Sequence, residues 1–352
     1  FRSLLDRLPE PQRQPAAIIS EQPASERTVV LDAAALDAMI DLMETAEAYA
    51  VDVETTSTDP MRAELVGIAI ATSAQHSFYV PLRHSNGDGQ LRASVVRAAL
   101  SPVFNVRPPH TITHHGKYDS IVFQRAGYPR LHIDFDTMIA AYLLGDSSVG
   151  LKELAFTRLG MEMQEITELI GRGRNQITMD LTGISEAANY ACADVEATYR
   201  LKHVLEPELR AQEQEKLFHE IELPLIDVLI DMEMTGVAID VDFLEQLSRQ
   251  LRAQIGELEK EIYQLAKHEF NINSPKQLAV VLFDELGLPT GKRTKTGYSV
   301  SQEVLESLRD AHPIVNVILE YRQLLKLTST YVDTLPKEVN PETGRVHTSF
   351  NQ

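Results

Sequence analysis

Between residues 48 and 114 the chain carries four short runs dominated by apolar or β-branched side chains, at 48–53, 65–71, 76–80 and 111–114. Runs of this length bounded by polar, Gly or Pro positions predict strands. Gly67, a weak strand former, lies inside the second. Helical patterns follow at 94–100, 118–126, 137–144, 151–159 and 185–203. Strands first and helices interleaved later predict an α/β domain over residues 28–207, a mixed sheet flanked by helices.

After Pro207 the strand patterns nearly vanish. Leu217, Ile221, Leu225, Val228, Leu229 and Met232 mark one face of a helix that stops at Gly236, with a kink expected at Pro224. Asp242 and Glu245 form a capping-box pattern. They open a second helix in which Leu244, Leu247, Leu251, Ile255, Leu258, Ile262 and Leu265 step by three or four. The expectation is a mostly α-helical domain over 208–352 that begins with an antiparallel helix pair. Residues 1–27, Pro-, Gln- and Ala-rich between 9 and 25, read as a linker from an upstream domain. The closing turn and strand, from Asn340 onward, read as a strand that continues into a domain outside these residues, since a strand needs a neighbour.

Composition adds exclusions. A hydrophobic content of 43% and a charged content of 24% are those of a globular protein. No apolar run approaches the ~18–20 residues of a membrane span, and the Arg-containing start is no signal peptide. The one cysteine, Cys192, excludes an internal disulfide and fits a reducing cytoplasm; its Ala neighbours make it a core filler. A net charge of −18 argues against a simple nucleic-acid binder with a basic footprint. It is compatible with an enzyme that holds cations in an acidic site.

Four acidic residues supply such a site. Asp52 and Glu54 are two apart on a strand, so both carboxylates point to one face. Their apolar neighbours make that arrangement costly without a positive partner. Asp119 stands at a strand-to-helix junction, and Tyr190 and Asp194 are four apart on one helix face. Oxygen-only ligand sets suit Mg²⁺ or Mn²⁺, and two such ions roughly 3.5–4 Å apart clamp the oxygens of a phosphodiester displacement. Each piece alone is unspecific: an Asp-x-Glu also fits an exposed strand edge, and a Lys-Tyr-Asp before a helix also fits an N-terminal cap. Order, spacing and context together are more specific.

The segments Asp52-Val-Glu-Thr, Lys117-Tyr-Asp119 with Asp134-Phe-Asp-Thr-Met downstream, and Tyr190-Ala-Cys-Ala-Asp194 resemble the three exonuclease motifs of the DEDD superfamily, with Tyr190 marking the tyrosine subtype. Asn271-Ile-Asn-Ser-Pro-Lys-Gln-Leu, the segment from Ile318 to Tyr331, and Gly344-Arg-Val-His-Thr-Ser-Phe are similar to thumb and palm-entry segments of family A DNA polymerases. The resemblance implies a ribonuclease-H-like 3′-5′ exonuclease domain followed by a helical thumb, proofreading in DNA replication and repair, with palm and fingers absent from these residues. It implies two divalent cations, one held by Asp52, Glu54 and Asp194 and the other by Asp52 and Asp119, with Tyr190 positioning the attacking water. Thr55 and Lys117 would lie close to the terminal nucleotide. His115 departs from the family, which often has Asn there, and that bears on a contact to the strand.

Further DNA contacts are expected from the basic, Gly-flanked loops that carry Arg172 and Arg174, and Lys292, Arg293 and Lys295. Ser274 at a helix start, and Arg322 and Lys326 four apart on a helix, are further candidates. DNA is the expected partner, a single-stranded 3′ end at the nuclease site and duplex at the thumb. The protein is expected to act as a monomer, in a bacterial cytoplasm at the nucleoid, without a membrane. Two alternatives stay open: a ribonuclease-D-like RNA exonuclease, and a catalytically inactive DNA-gripping nuclease fold.

Overall fold

The computed structural model describes residues 25–85, 89–105, 110–289, 293–294 and 297–352. It divides into two compact units, one built on residues up to Met234 together with Ser349–Gln352, the other on Thr235–Thr348. Most of the stretch expected to be a linker, residues 1–24, lies outside the described residues. No described helix is long and apolar enough to cross a membrane.

The first unit opens with β1 (Glu26–Val29) and α1 (Ala33–Thr45), which the pattern reading missed. The signal was present: Asp32 caps α1 through a bond from the Ala35 N–H, and Leu36, Met39 and Met43 are its buried stripe. Strands β2 (Ala48–Thr55), β3 (Leu65–Ala71) and β4 (His76–Pro81) come next. They are followed by α2 (Ala93–Phe104), β5 (His110–Thr113), α3 (Gly116–Arg125) and β6 (Phe135–Asp136). The unit continues with α4 (Thr137–Leu143), α5 (Leu151–Leu159), α6 (Ile166–Ile170) and α7 (Ile184–Ala211).

The six strands form one sheet in the order β1-β4-β3-β2-β5-β6. β2 runs antiparallel to β3 and parallel to β5.

Strand alternation divides the core. Tyr49, Val51 and Val53 pack with Ile68 and Ile70 in the cluster that takes in α1 and α2. Ala48 and Ala50 pack with Ala69 and Ala71 in the cluster that takes in α7. Small residues on that face let α7 lie close across the sheet. The same two-residue period puts Asp52 and Glu54 on the α7 side. Gly67, paired with Glu54, leaves room for Tyr79: a Cβ there would stand 2.2 Å from the Tyr79 hydroxyl. That hydroxyl is tied to His84 Nε2 at 2.8 Å. Gly67→Ala is therefore expected to cost about 1–3 kcal/mol by overpacking, read by urea unfolding. A loss under ~0.5 kcal/mol would mean that Tyr79 moves freely.

The expected break after residue 207 falls inside α7. Its apolar face continues through Leu201, Leu205 and Leu209 into one core with Phe218, Ile226 and Ile230. The next helical stretch also departs from expectation. Phe218–Glu222 forms a π-helical turn, in which the Leu223 N–H reaches the Phe218 carbonyl, before α8 (Leu223–Thr235). Pro224 lacks the N–H that an α-turn would use, and a wider turn just ahead of it accommodates that loss. One extra residue rotates everything downstream, so the buried positions are Ile226, Leu229, Ile230 and Glu233. Of the expected stripe, Ile221, Val228 and Met232 are exposed. Gly236 takes the expected left-handed conformation after α8.

In the second unit α9 (Val241–Ala266) starts from Asp240, whose side chain accepts from the Phe243 N–H, and not from the Asp242/Glu245 box. Its half-buried leucine stripe packs against α12 (Pro313–Leu327), with α10 (Pro275–Ala279) and α11 (Gln302–Ser307) completing the core. The backbone of β7 (Arg293–Thr294) pairs with that of β8 (Gly297–Tyr298). The last strand, β10 (Arg345–Val346), finds its neighbours inside this unit. It pairs with β9 (Val339–Asn340), and Val346 bridges Val237.

Candidate active site

Three elements of the first unit carry the four acidic residues. Asp52 and Glu54 stand near the end of β2, where the register with β3 slips between Glu54 and Thr55. Bulges of this kind re-aim side chains at strand ends. Asp119 is buried in the first turns of α3. That turn is set by a residue whose role the motif reading had not singled out, the buried Asp136 at the N-cap of α4. Its carboxylate accepts from the backbone N–H of Gly116 at 2.7 Å and from Thr113 Oγ1 at 3.0 Å, besides capping Met138 and Ile139. Tyr190 and Asp194, one turn apart on α7, are both buried on the face that meets the sheet.

The carboxylates feel one another. Burial, then the charge of Asp194, pushes Asp52 up to about 7. Glu54 is raised by burial and by Asp52 and Asp194, and Asp119 by burial and then by Asp52, Asp136 and Glu54. Asp194 is raised by burial against the opposing pull of Lys152, whose ammonium bonds its Oδ1. The Tyr190 hydroxyl is driven well above its ordinary value by burial and by the charges of Asp194, Glu54 and Asp52. Like charges gathered in a desolvated pocket shift in this direction, and such groups concentrate at functional sites.

Beside them runs a groove of about 750 Å³ lined by Glu54–Thr58, His115, Tyr118 and the segment around Ile166–Met179. Thr55 Oγ1 and the Tyr118 hydroxyl are 2.6 Å apart on its wall. His115 is exposed there in a left-handed conformation, φ 67°, as the N-cap of α3. Asn tolerates that conformation better than most residues, which gives the family's frequent Asn a backbone reason. Arg172 and Arg174 are exposed on a turn whose Gly173 and Gln176 line the groove.

Lys117 is placed differently from the expectation of a nucleotide contact. It is buried, and its Nζ lies 2.6 Å from Glu233 Oε1 and donates to the Phe350 carbonyl. In the second unit Ser274 caps α10. Arg322 donates to the Val300 carbonyl at 2.6 Å, and Lys326 is exposed. Lys292 and Lys295 lie outside the described residues, and Arg293 is described by its backbone alone.

Residues 28–210 match the family model described as 3′-5′ exonuclease. The chain belongs to the 3′-5′ exonuclease family. Residues 241–352 match the model of DNA polymerase family A. The chain is 42% identical over 349 residues to the DNA polymerase I of Chloroflexus aurantiacus, covering 97% of this chain and 37% of that protein. It is 38% identical to the DNA polymerase I of Pseudomonas aeruginosa, covering 92% of this chain and 36% of that one. It thus spans about a third of the length of these relatives. A solved structure, the POL domain of Pol1 from M. smegmatis in complex with DNA primer-template and dNTP, superimposes with a TM-score of 0.74. That match is at 28% identity and covers 92% of this chain and 52% of the other.

Membership of this exonuclease family implies dependence on a divalent metal. The residues present fit one in their chemistry. All four candidate donors are carboxylates, and two buried oxygens, Glu54 Oε1 and Asp119 Oδ2, have no hydrogen-bond partner. Leaving such oxygens unpaired costs about 1–3 kcal/mol each, or more when charged. Among the described residues no three acidic or His side chains are yet gathered into a closed cage, and Lys152 engages Asp194.

Proposed function

We propose that the first unit hydrolyses the 3′-terminal phosphodiester of single-stranded DNA, and that the second serves as a duplex-gripping thumb. The observation that supports this best is the convergence of Asp52, Glu54, Asp119 and Asp194 from three elements, with raised carboxyl pKa values and two unpartnered oxygens. Asp52, Glu54 and Asp194 would hold one Mg²⁺ or Mn²⁺, and Asp52 and Asp119 a second. When bound, such ions lower the pKa of the attacking water and offset charge on the phosphate.

The chain's own residues do the rest. Tyr190 is a phenol whose pKa burial and the neighbouring carboxylates raise. Its hydroxyl would orient the attacking water by hydrogen bonding. The groove beside Glu54 has a volume within the ~300–1,000 Å³ typical of small-ligand sites. The terminal nucleotide would lie there against Thr55, Tyr118 and the apolar Ile166 and Ile170. Arg172 and Arg174, exposed at its edge, would meet the backbone of the same strand. The M. smegmatis relative was solved on a DNA primer-template, which supports DNA as the partner here and duplex as the ligand of the second unit.

The test is a metal titration with a short single-stranded DNA labelled at its 5′ end, beside an RNA of the same sequence. Stepwise shortening from the 3′ end, dependent on Mg²⁺ or Mn²⁺ and faster on DNA, is expected. Faster cleavage of the RNA would favour an RNA-trimming enzyme, and no metal-dependent shortening would leave a fold that only binds.

A further inference from the structure

Lys152 lies near the start of α5, outside every motif that drew attention to this site. Its ammonium bonds Asp194 Oδ1 and lies 4.1 Å from the centroid of the Tyr190 ring. It therefore engages both α7 residues of the proposed site at once. Its charge is also the leading cationic influence on Asp52 and Glu54. The side chain is 22% exposed, so the ammonium has a path to water. Its surroundings are acidic: Glu153, Glu162 and Glu165 line the adjoining groove.

We propose that Lys152 is a resident counter-ion that competes with divalent metal for Asp194, so that metal entry expels its ammonium from Asp194 and Tyr190. The inference rests on the metal-site reading above. A divalent ion held by Asp194 and the Lys152 ammonium would repel each other, so the two would compete for that carboxylate. A lysine suits this exchange, since its compact charge is strongly hydrated and its four-carbon stem is flexible. In the metal-free protein the pair offsets part of the repulsion among the carboxylates and packs over the Tyr190 ring. On metal entry both restraints end together.

The test uses the full chain. Lys152→Met is expected to raise Mn²⁺ affinity about tenfold, a typical coupling between two sites. Titration calorimetry at mildly alkaline pH, where bound protons compete least, reads it. The same variant should melt earlier in EDTA, which widens the gap between metal-free and metal-loaded melting. Lys152→Arg, which keeps the charge, should bind Mn²⁺ no more tightly than wild type. A second measurement needs no variant: acetylation of Lys152, followed by mass spectrometry, should speed up when Mn²⁺ is added to the wild type. If Lys152→Met fails to fold, that footprint decides alone. Unchanged or weaker Mn²⁺ affinity in a folded Lys152→Met, or acetylation that does not rise, overturns the exchange. If wild type binds Mn²⁺ and Asp52→Ala does not, such a result sinks only the role of Lys152. If folded wild type binds no Mn²⁺, the metal site itself falls and this inference with it.

Discussion

Asp52→Ala or Asp194→Ala is expected to lower cleavage of single-stranded DNA by at least about a thousandfold, worth roughly 4 kcal/mol of transition-state stabilisation. For Asp52 the same change should leave the metal-free protein as stable as wild type, or more so. Asp52 is pushed up to about 7 by burial and by Asp194, so its charged form is strained in the folded protein. A carboxyl whose pKa is raised on folding contributes stability that is fully present below its unfolded value, near 4. That contribution is lost as pH rises through the folded value, near 7 for Asp52. Metal-free wild type should therefore lose melting temperature between about pH 4 and pH 8. The net charge of −18 pushes the same way, so the informative quantity is the difference between variants: Asp52→Ala should show a shallower decline. Saturating Mg²⁺ should flatten the wild-type profile more than that of the variant. Thermal melts across that pH range, with EDTA and with Mg²⁺, read all of this. An Asp52→Ala protein that keeps a tenth of wild-type cleavage, or that melts with the wild-type pH slope, would refute the assignment.

Much of this site was legible in the sequence because strand and helix periods are rigid. Once residues 48–53 read as a strand, Asp52 and Glu54 had to share a face, and the structure gives that face to α7. Tyr190 and Asp194 had to be neighbours on a helix for the same kind of reason. What escaped was long-range or depended on a single inserted residue. The π-turn at Phe218–Glu222 moves the buried stripe of α8 by one position, and local periodicity does not report an insertion that keeps the helix going. Asp136 looked like part of a motif, but its work is to bind the Gly116 and His115 backbone N–H groups some 20 residues upstream and so hold the turn before Asp119. Lys152 is 42 residues from Asp194. Nothing in a single sequence singles it out from other helix cations. Lys117 shows the same limit: a lysine beside a candidate catalytic motif invites a phosphate contact, and its partner Glu233 is 116 residues away.

Lys117→Met is accordingly expected to act on the fold. Lys117 and Glu233 side chains are 7% and 3% exposed, and Glu233 also accepts from the Phe350 N–H at 2.8 Å. Removing one member of a buried ion pair leaves the other charge desolvated and uncompensated, at a cost of about 3–5 kcal/mol. Methionine keeps most of the aliphatic stem, so the loss reports the charge and not a cavity. For a unit of this size that corresponds to a fall in melting temperature on the order of 10 °C. Glu233→Leu alone should be damaging to a similar degree, because it strands the ammonium instead. Combining the two substitutions should recover most of the loss, since apolar replacement of a whole buried pair is often close to neutral. The double-mutant cycle then yields a coupling of several kcal/mol in the sense expected for contacting residues. A nucleotide contact predicts another pattern: Lys117→Met would leave the melting temperature untouched and raise KM for single-stranded DNA. That outcome, with no rescue by Glu233→Leu, would return Lys117 to the substrate strand.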